Sequence, residues 1–217
     1  RSDFIINNAN DVFKIHKILF DNVYDWAGKS RTINIYKNEP ILNGLSVEYS
    51  LYNLIDSDLS KINLIYFKNN NLGNLNREDF IHVFTRLISD IWRVHPFREG
   101  NTRTISAFAF LLLRQYGDLF NTEVIKENAK YFRNALVMAS LNEYAEHQYL
   151  QKILKDSVDN LNVDVWSEKY KKIKDYNVED YTYVYHKVKW LYKKWKKPKE
   201  LCMLLKLILR SATLNIE

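Results

Sequence analysis

Apolar residues recur at helical spacing over several stretches of this chain. Between Asp11 and Trp26 they fall at Val12, Ile15, Leu19, Val23 and Trp26, one face of a helix that Gly28 closes two residues later. Asn76, with Asp79 three residues on, reads as a helix start. Phe80, Val83, Phe84, Leu87, Ile88, Ile91 and Trp92 follow at i, i+3, i+4 spacing. That helix must stop before Pro96, because the proline ring pushes His95 out of the α region. From Thr102 to Tyr116 the run ISAFAFLLL is apolar on nearly every face, which predicts a central buried helix ended by Gly117. Further helices are expected near 122–138, 142–158 and 180–195. Only RTINIYKNEPILNGLSV, from Arg31, changes period. Ile33 and Ile35 alternate with polar neighbours, Pro40 breaks the run and Asn43-Gly44 is a turn dipeptide, so a short hairpin or flap is expected over about 31–43. The expected fold class is all-α with one small β element.

Composition narrows the setting. A chain of 217 residues with 47% hydrophobic content can bury a core without covalent staples. Cys202 has no partner for an internal disulfide, which suits a reducing compartment. Cytoplasm is therefore expected, with delivery into a host cell left open. No apolar run reaches the length of a membrane span, and the chain, which opens on Arg1, has no basic start followed by an apolar core. The net charge of +6 is unevenly spread: residues 1–150 hold 17 Lys+Arg against 17 Asp+Glu, whereas 151–217 hold 15 against 9. The expected organisation is one domain over 1–158 and a basic helical extension over 159–217.

The chemistry gathers in one polar loop, HPFREGNTRT, residues 95–104. It joins the amphipathic helix to the buried one, so its backbone amides lie at a helix N-terminus, where unpaired N–H groups and the helix dipole favour phosphate. Gly100 permits close backbone approach, and Arg103 adds a planar cation in the first turn. Glu99 beside an anion site is repulsive unless a cation mediates, and Mg²⁺ held by one carboxylate plus substrate phosphates is the usual form. His95 has the only loop side chain suited to taking a proton near neutrality. Phe97 reads as a core anchor. Each residue also has a plainer reading. His95 is then a helix-ending residue, Glu99 and Arg103 a solvated pair contributing ~0.3–0.5 kcal/mol, and Gly100-Asn101 a cap. The remaining histidines form no cluster with Asp, Glu or Cys, so a zinc site is not expected, and there is no Walker loop or nucleophile elbow.

This loop resembles the signature of Fic (Fido) domains, His-x-Phe-x-Asp/Glu-Gly-Asn-Gly-Arg-x-x-Arg. LFDNVYDWAGKSRTINIYK at 19–37 is similar to the family's first core helix and the approach to its flap, and the resemblance covers roughly 10–155. It implies a Fic-like helical bundle with a β-hairpin flap and a C-terminal appendage. The implied activity is an adenylyltransferase moving AMP from ATP onto a Ser, Thr or Tyr hydroxyl of a target protein. His95 would be the general base and Glu99 the Mg²⁺ ligand. Gly100, Asn101 and the backbone at Thr102 would form the anion hole, and Arg103 would bind phosphates. The flap near Ile33–Asn43 would grip the target by strand addition. Thr102 stands where the pattern has glycine and Ser106 where it has the second arginine, so a γ-phosphate contact is lost. UMP, phosphocholine or phosphate transfer, and a catalytically weak Fic-fold binding module, stand as alternatives. An antitoxin-like inhibitor chain is a further implied partner. Thr213 to Glu217 matches the family's inhibitory Ser/Thr-x-x-x-Glu pattern, but with Ser106 the arginine it would engage is gone.

Seven lysines lie between Lys187 and Lys199, with Trp190, Tyr192 and Trp195 and no acid. Nucleic acid or membrane contact is one reading of this segment. A solvated face covering apolar surface with lysine stems is the favoured one.

Overall fold

In a computed structural model, residues 4–69, 72–116 and 121–159 are described. Seven α-helices are found among them: α1 Asp11–Phe20, α2 Ile55–Asn63, α3 Arg77–Val94, α4 Asn101–Gln115, α5 Thr122–Glu127, α6 Ala129–Ala139 and α7 Gln148–Asp159. They belong to a unit of residues 1–36 and 47–177. Residues 37–46 belong to a second unit.

α3 is the hub, packing on α2, α4, α6 and α7. Its stripe is buried as the periodicity requires, with Phe84, Leu87, Ile88, Ile91 and Trp92 at the core. The Asn76 side chain accepts the Asp79 N–H at 3.0 Å and returns its own N–H to the Asp79 carboxylate at 2.7 Å, so the expected start is observed. α3 ends at Val94, before Pro96 as expected. α4 is less central than its composition suggests. Ile105, Phe108, Ala109, Leu112 and Leu113 are buried against α1 and α3, while Ser106, Ala107, Phe110 and Leu111 are half-buried.

Three expectations change in detail. α1 ends at Phe20, not near Trp26, because Val23 and Tyr24 both bond back to the Phe20 carbonyl and turn the chain. Val23 is consequently 63% exposed. The helix expected over 122–138 is two, since Asn128 leaves helical geometry at φ −113°. No strand is present among the described residues, so the hairpin expected over 31–43 is not formed as a ladder. The Asn43-Gly44 turn is there, at φ 50° and 85°, after a 3₁₀ turn Pro40–Leu42. The reversal is closed by Glu39 N–H to Leu45 O at 3.1 Å and by Lys37 N–H to the Ser46 hydroxyl oxygen, also at 3.1 Å. A side chain thus accepts where a strand would supply a carbonyl. Gly117, the helix near 180–195, the Lys187–Lys199 segment, Cys202 and the Thr213–Glu217 match lie outside the described residues, as does the expected extension beyond Asp159.

His147 precedes α7, and its Nδ1 is buried with no hydrogen-bond partner among the described residues. Burial holds its pKa below the usual 6.5, helped by the Arg86 guanidinium and His82 and opposed by Asp90. A depressed histidine binds fewer protons folded than unfolded, so its stability contribution is complete above 6.5 and is lost as pH falls towards the lowered native value. The slope in that window is at most about 1.4 kcal/mol per pH unit. Thermal unfolding from pH 8 to 5 should show a falling Tm below 6.5, less steep in His147→Gln; an unchanged slope in the variant refutes the assignment.

Candidate active site

The loop is held by bonds that its own short sequence makes to itself and to α1. Asn101 folds back on Phe97, accepting its N–H at 3.0 Å and donating to its carbonyl at 2.8 Å. Phe97 is 1% exposed, stacked on His16 at 3.8 Å and edge-on to Phe13 at 5.3 Å. It is the anchor the sequence suggested. From α1, His16 donates Nε2–H to the Glu99 carbonyl at 3.1 Å, while its Nδ1 accepts the Gly28 N–H at 2.9 Å. Carbonyl and amide on opposite sides fix the neutral tautomer. Burial is the main cause holding the His16 pKa below 6.5; the Glu99 carbonyl opposes it and Arg103 adds to it.

Gly100 begins α4 at φ 83°. A Cβ there would lie 2.6 Å from Phe20 Cε2 and 3.2 Å from His16 Nε2. Only glycine allows the main chain to pass this close and turn in the left-handed region. The first helical bond of α4 runs from Thr104 N–H to Gly100 O at 2.9 Å, so the amides of Asn101, Thr102 and Arg103 precede it in the orphan first turn. Glu99 and Arg103 are exposed, and the Arg103 guanidinium lies 4.7 Å over the Phe20 ring. The two departures from the family pattern are bonded in sequence. Trp92 Nε1–H donates to the Thr102 hydroxyl at 3.1 Å, and the Ser106 hydroxyl donates to the Thr102 carbonyl at 2.8 Å.

His95 takes φ 51°, ψ 59° immediately after α3. Its Nδ1 donates to the Trp92 carbonyl at 3.2 Å, which leaves Nε2 as the basic nitrogen. The imidazole is not on an open surface: the residue is 2% exposed, with the Tyr49 ring 4.1 Å away and Trp92 edge-on at 5.1 Å. Arg31, also 2% exposed, reaches the same corner and donates Nε–H to the His95 carbonyl at 2.9 Å.

The structure therefore brings His95, Glu99, Gly100, Asn101, Thr102 and Arg103 into one turn. The Asn101 side chain closes the loop on the Phe97 backbone, and its main-chain amide stands in the first turn of α4. Among the described residues no group of three or more His, Cys, Asp or Glu is arranged to hold a metal. The exposed Glu99 carboxylate beside an anion-favouring helix end fits a Mg²⁺ held jointly by one carboxylate and phosphate oxygens, not a protein cage. His16, Arg31 and Tyr49 were not singled out from the sequence as parts of the site. A faint signal existed for two of them: His16 lies on the buried face of α1 with Val12, and Arg31 opens the only alternating stretch. No described helix is long and apolar enough to cross a membrane.

Residues 7–113 match the model of the Fic/DOC family. The chain is 29% identical over 141 residues to protein adenylyltransferase VbhT of Bartonella schoenbuchensis, a match covering 65% of this chain and 27% of that protein. It is 27% identical over 150 residues to a protein adenylyltransferase of Bartonella henselae, with the same two coverages of 65% and 27%. The chain thus spans about a quarter of the length of these relatives. Among solved structures, the N-terminal FIC domain of Bep8, a VirB-translocated effector of Bartonella sp. 1-1C, superposes with a TM-score of 0.62. That match has 23% identity and covers 74% of this chain and 77% of the other.

Proposed function

This chain carries a domain of the Fic/DOC family, and from that premise we propose that it moves AMP from ATP onto the hydroxyl of a Ser, Thr or Tyr side chain of a target protein. The relatives named protein adenylyltransferase support the reaction type. The observation that carries the reading is the single turn holding a tautomer-fixed imidazole, an exposed carboxylate and three first-turn amides within residues 95–103.

In this reading the target oxygen attacks the α-phosphorus, the bond from that phosphorus to the diphosphate breaks, and the hydroxyl proton passes to His95 Nε2. The amides of Asn101, Thr102 and Arg103 bind phosphate oxygens, and the Arg103 guanidinium adds a cation. Bound beside Glu99, Mg²⁺ would neutralise charge on the phosphates. The Tyr49 ring, which covers the imidazole, moves aside for the target hydroxyl. Residues 33–43 grip the target as an added strand, the loop around Asn43-Gly44 supplying the turn.

The test incubates the protein and a lysate with each of the four nucleoside triphosphates and Mg²⁺, and reads intact masses. The expected result is a gain of one AMP on protein, abolished by chelating the metal. Ser106, in place of the pattern's arginine, favours one second reading, a different donor nucleotide, and a gain of UMP alone would establish it. No gain from any donor, in either the protein or the lysate, would sink both.

A further inference from the structure

Arg31 is a buried cation whose hydrogen bonds run to main-chain carbonyls. Its Nε donates to His95 O at 2.9 Å, one terminal nitrogen to Ile33 O at 2.8 Å, and the other to Ser50 O and, at 3.5 Å, to Val94 O. Its own backbone N–H donates to Pro96 O at 2.8 Å. Carbonyls 94, 95 and 96 are therefore all fixed by one residue. Removing a guanidinium from water is costly, and here the compensation comes from the negative C-terminal end of α3. The planar fork is what allows one side chain to reach acceptors on three separate stretches; an ammonium is a point charge and lacks that fork.

His95 needs such restraint. At φ 51° it sits in a region that costs energy for a residue with a side chain, and such conformations persist when their surroundings over-determine them. The direction of its imidazole follows from the peptide planes on either side, and those are the planes Arg31 holds.

We propose that Arg31 is a positioning residue for the transfer reaction, its guanidinium holding the carbonyls around His95 so that Nε2 is aimed at the incoming hydroxyl. The proposal rests on the reading of His95 as general base.

The test uses the whole chain, with Arg31→Lys and Arg31→Ala compared with wild type. Imidazole ¹⁵N spectra are recorded without nucleotide, and the His95 signals among the five histidines are assigned by their loss in His95→Gln. Transfer kinetics are measured separately. In Arg31→Lys the His95 signals should leave the Nδ1–H tautomer while the other four stay in place. The kcat should drop on the order of 10²-fold, the effect of a misplacement of about 1 Å, with KM for ATP nearly unchanged. Guanidinium ion should restore part of both signals in Arg31→Ala, and butylammonium should not. A His95 spectrum identical to wild type, an unchanged kcat, or a uniform shift of all five histidines overturns the proposal. If neither variant folds, the wild-type Arg31 Nε–H is read directly. Strong protection from solvent exchange supports the bond to His95, and exchange as fast as that of an exposed arginine overturns it. The spectra do not need turnover. A perturbed His95 in a protein that transfers nothing would keep Arg31 as the residue that orients the imidazole and would reject the transfer reading on which its part in a reaction rests.

Discussion

His95→Ala lowers nucleotide transfer by ~10²–10⁴-fold, the usual contribution of a positioned general base. That range corresponds to about 2.7–5.4 kcal/mol of barrier, at about 1.36 kcal/mol per factor of ten. The effect is expected on kcat, because no phosphate contact is assigned to the imidazole and ATP binding rests on the α4 amides and Arg103. His95→Asn is the informative companion. Asparagine tolerates the left-handed backbone better than most residues, so it keeps the φ 51° turn while removing the base. Initial rates by intact mass, with Tm recorded for both variants, check the result. A rate within fivefold of wild type in either folded variant would reject His95 as the base.

Gly100→Ala carries a large expected structural cost for a single methyl group. The new Cβ meets Phe20 Cε2 at 2.6 Å and Cζ at 2.8 Å, closer than real carbon atoms approach. The ring has little room to retreat, since Phe20 packs on His16 at 4.7 Å and Tyr24 at 5.5 Å and carries Arg103 on its face. Left-handed strain adds roughly 1–2 kcal/mol and overpacking roughly 1–3 kcal/mol, together about 2–5 kcal/mol. For a domain of this size that is a Tm loss of roughly 4–20 °C. Gly44→Ala is the control. Its φ of 85° imposes the same strain, but the nearest atom is the Asn38 side-chain oxygen at 3.1 Å, which can rotate away. A Gly100→Ala variant no less stable than Gly44→Ala would show that the contact with Phe20 is not tight in solution.

Features governed by local chemistry were legible in the sequence. Pro96 ended α3, Asn76 began it, Asn43-Gly44 turned the chain and Phe97 anchored the loop, each acting within a few residues of itself. The list of loop residues was legible for the same reason, since residues 95–103 must be neighbours. What escaped depends on contacts distant along the chain. His16 meets Glu99 across 83 positions and Arg31 meets His95 across 64, and no periodicity encodes such a meeting. The end of α1 at Phe20 has a nearer cause: an apolar stripe continued to Trp26, but turn bonds to Phe20 O and the Gly28–His16 bond redirect the chain. Residue type alone also does not tell that the Asn101 side chain closes the loop on the Phe97 backbone.

Positions 102 and 106 make separate bonds, the Thr102 hydroxyl accepting from the Trp92 indole and the Ser106 hydroxyl donating to the Thr102 main-chain carbonyl. Glycine at 102 removes the acceptor of the indole N–H beside His95, whereas arginine at 106 discards only a hydroxyl bonded to a carbonyl that every residue at 102 keeps. The two departures from the signature are therefore separable: only the change at 102 leaves a donor without its acceptor.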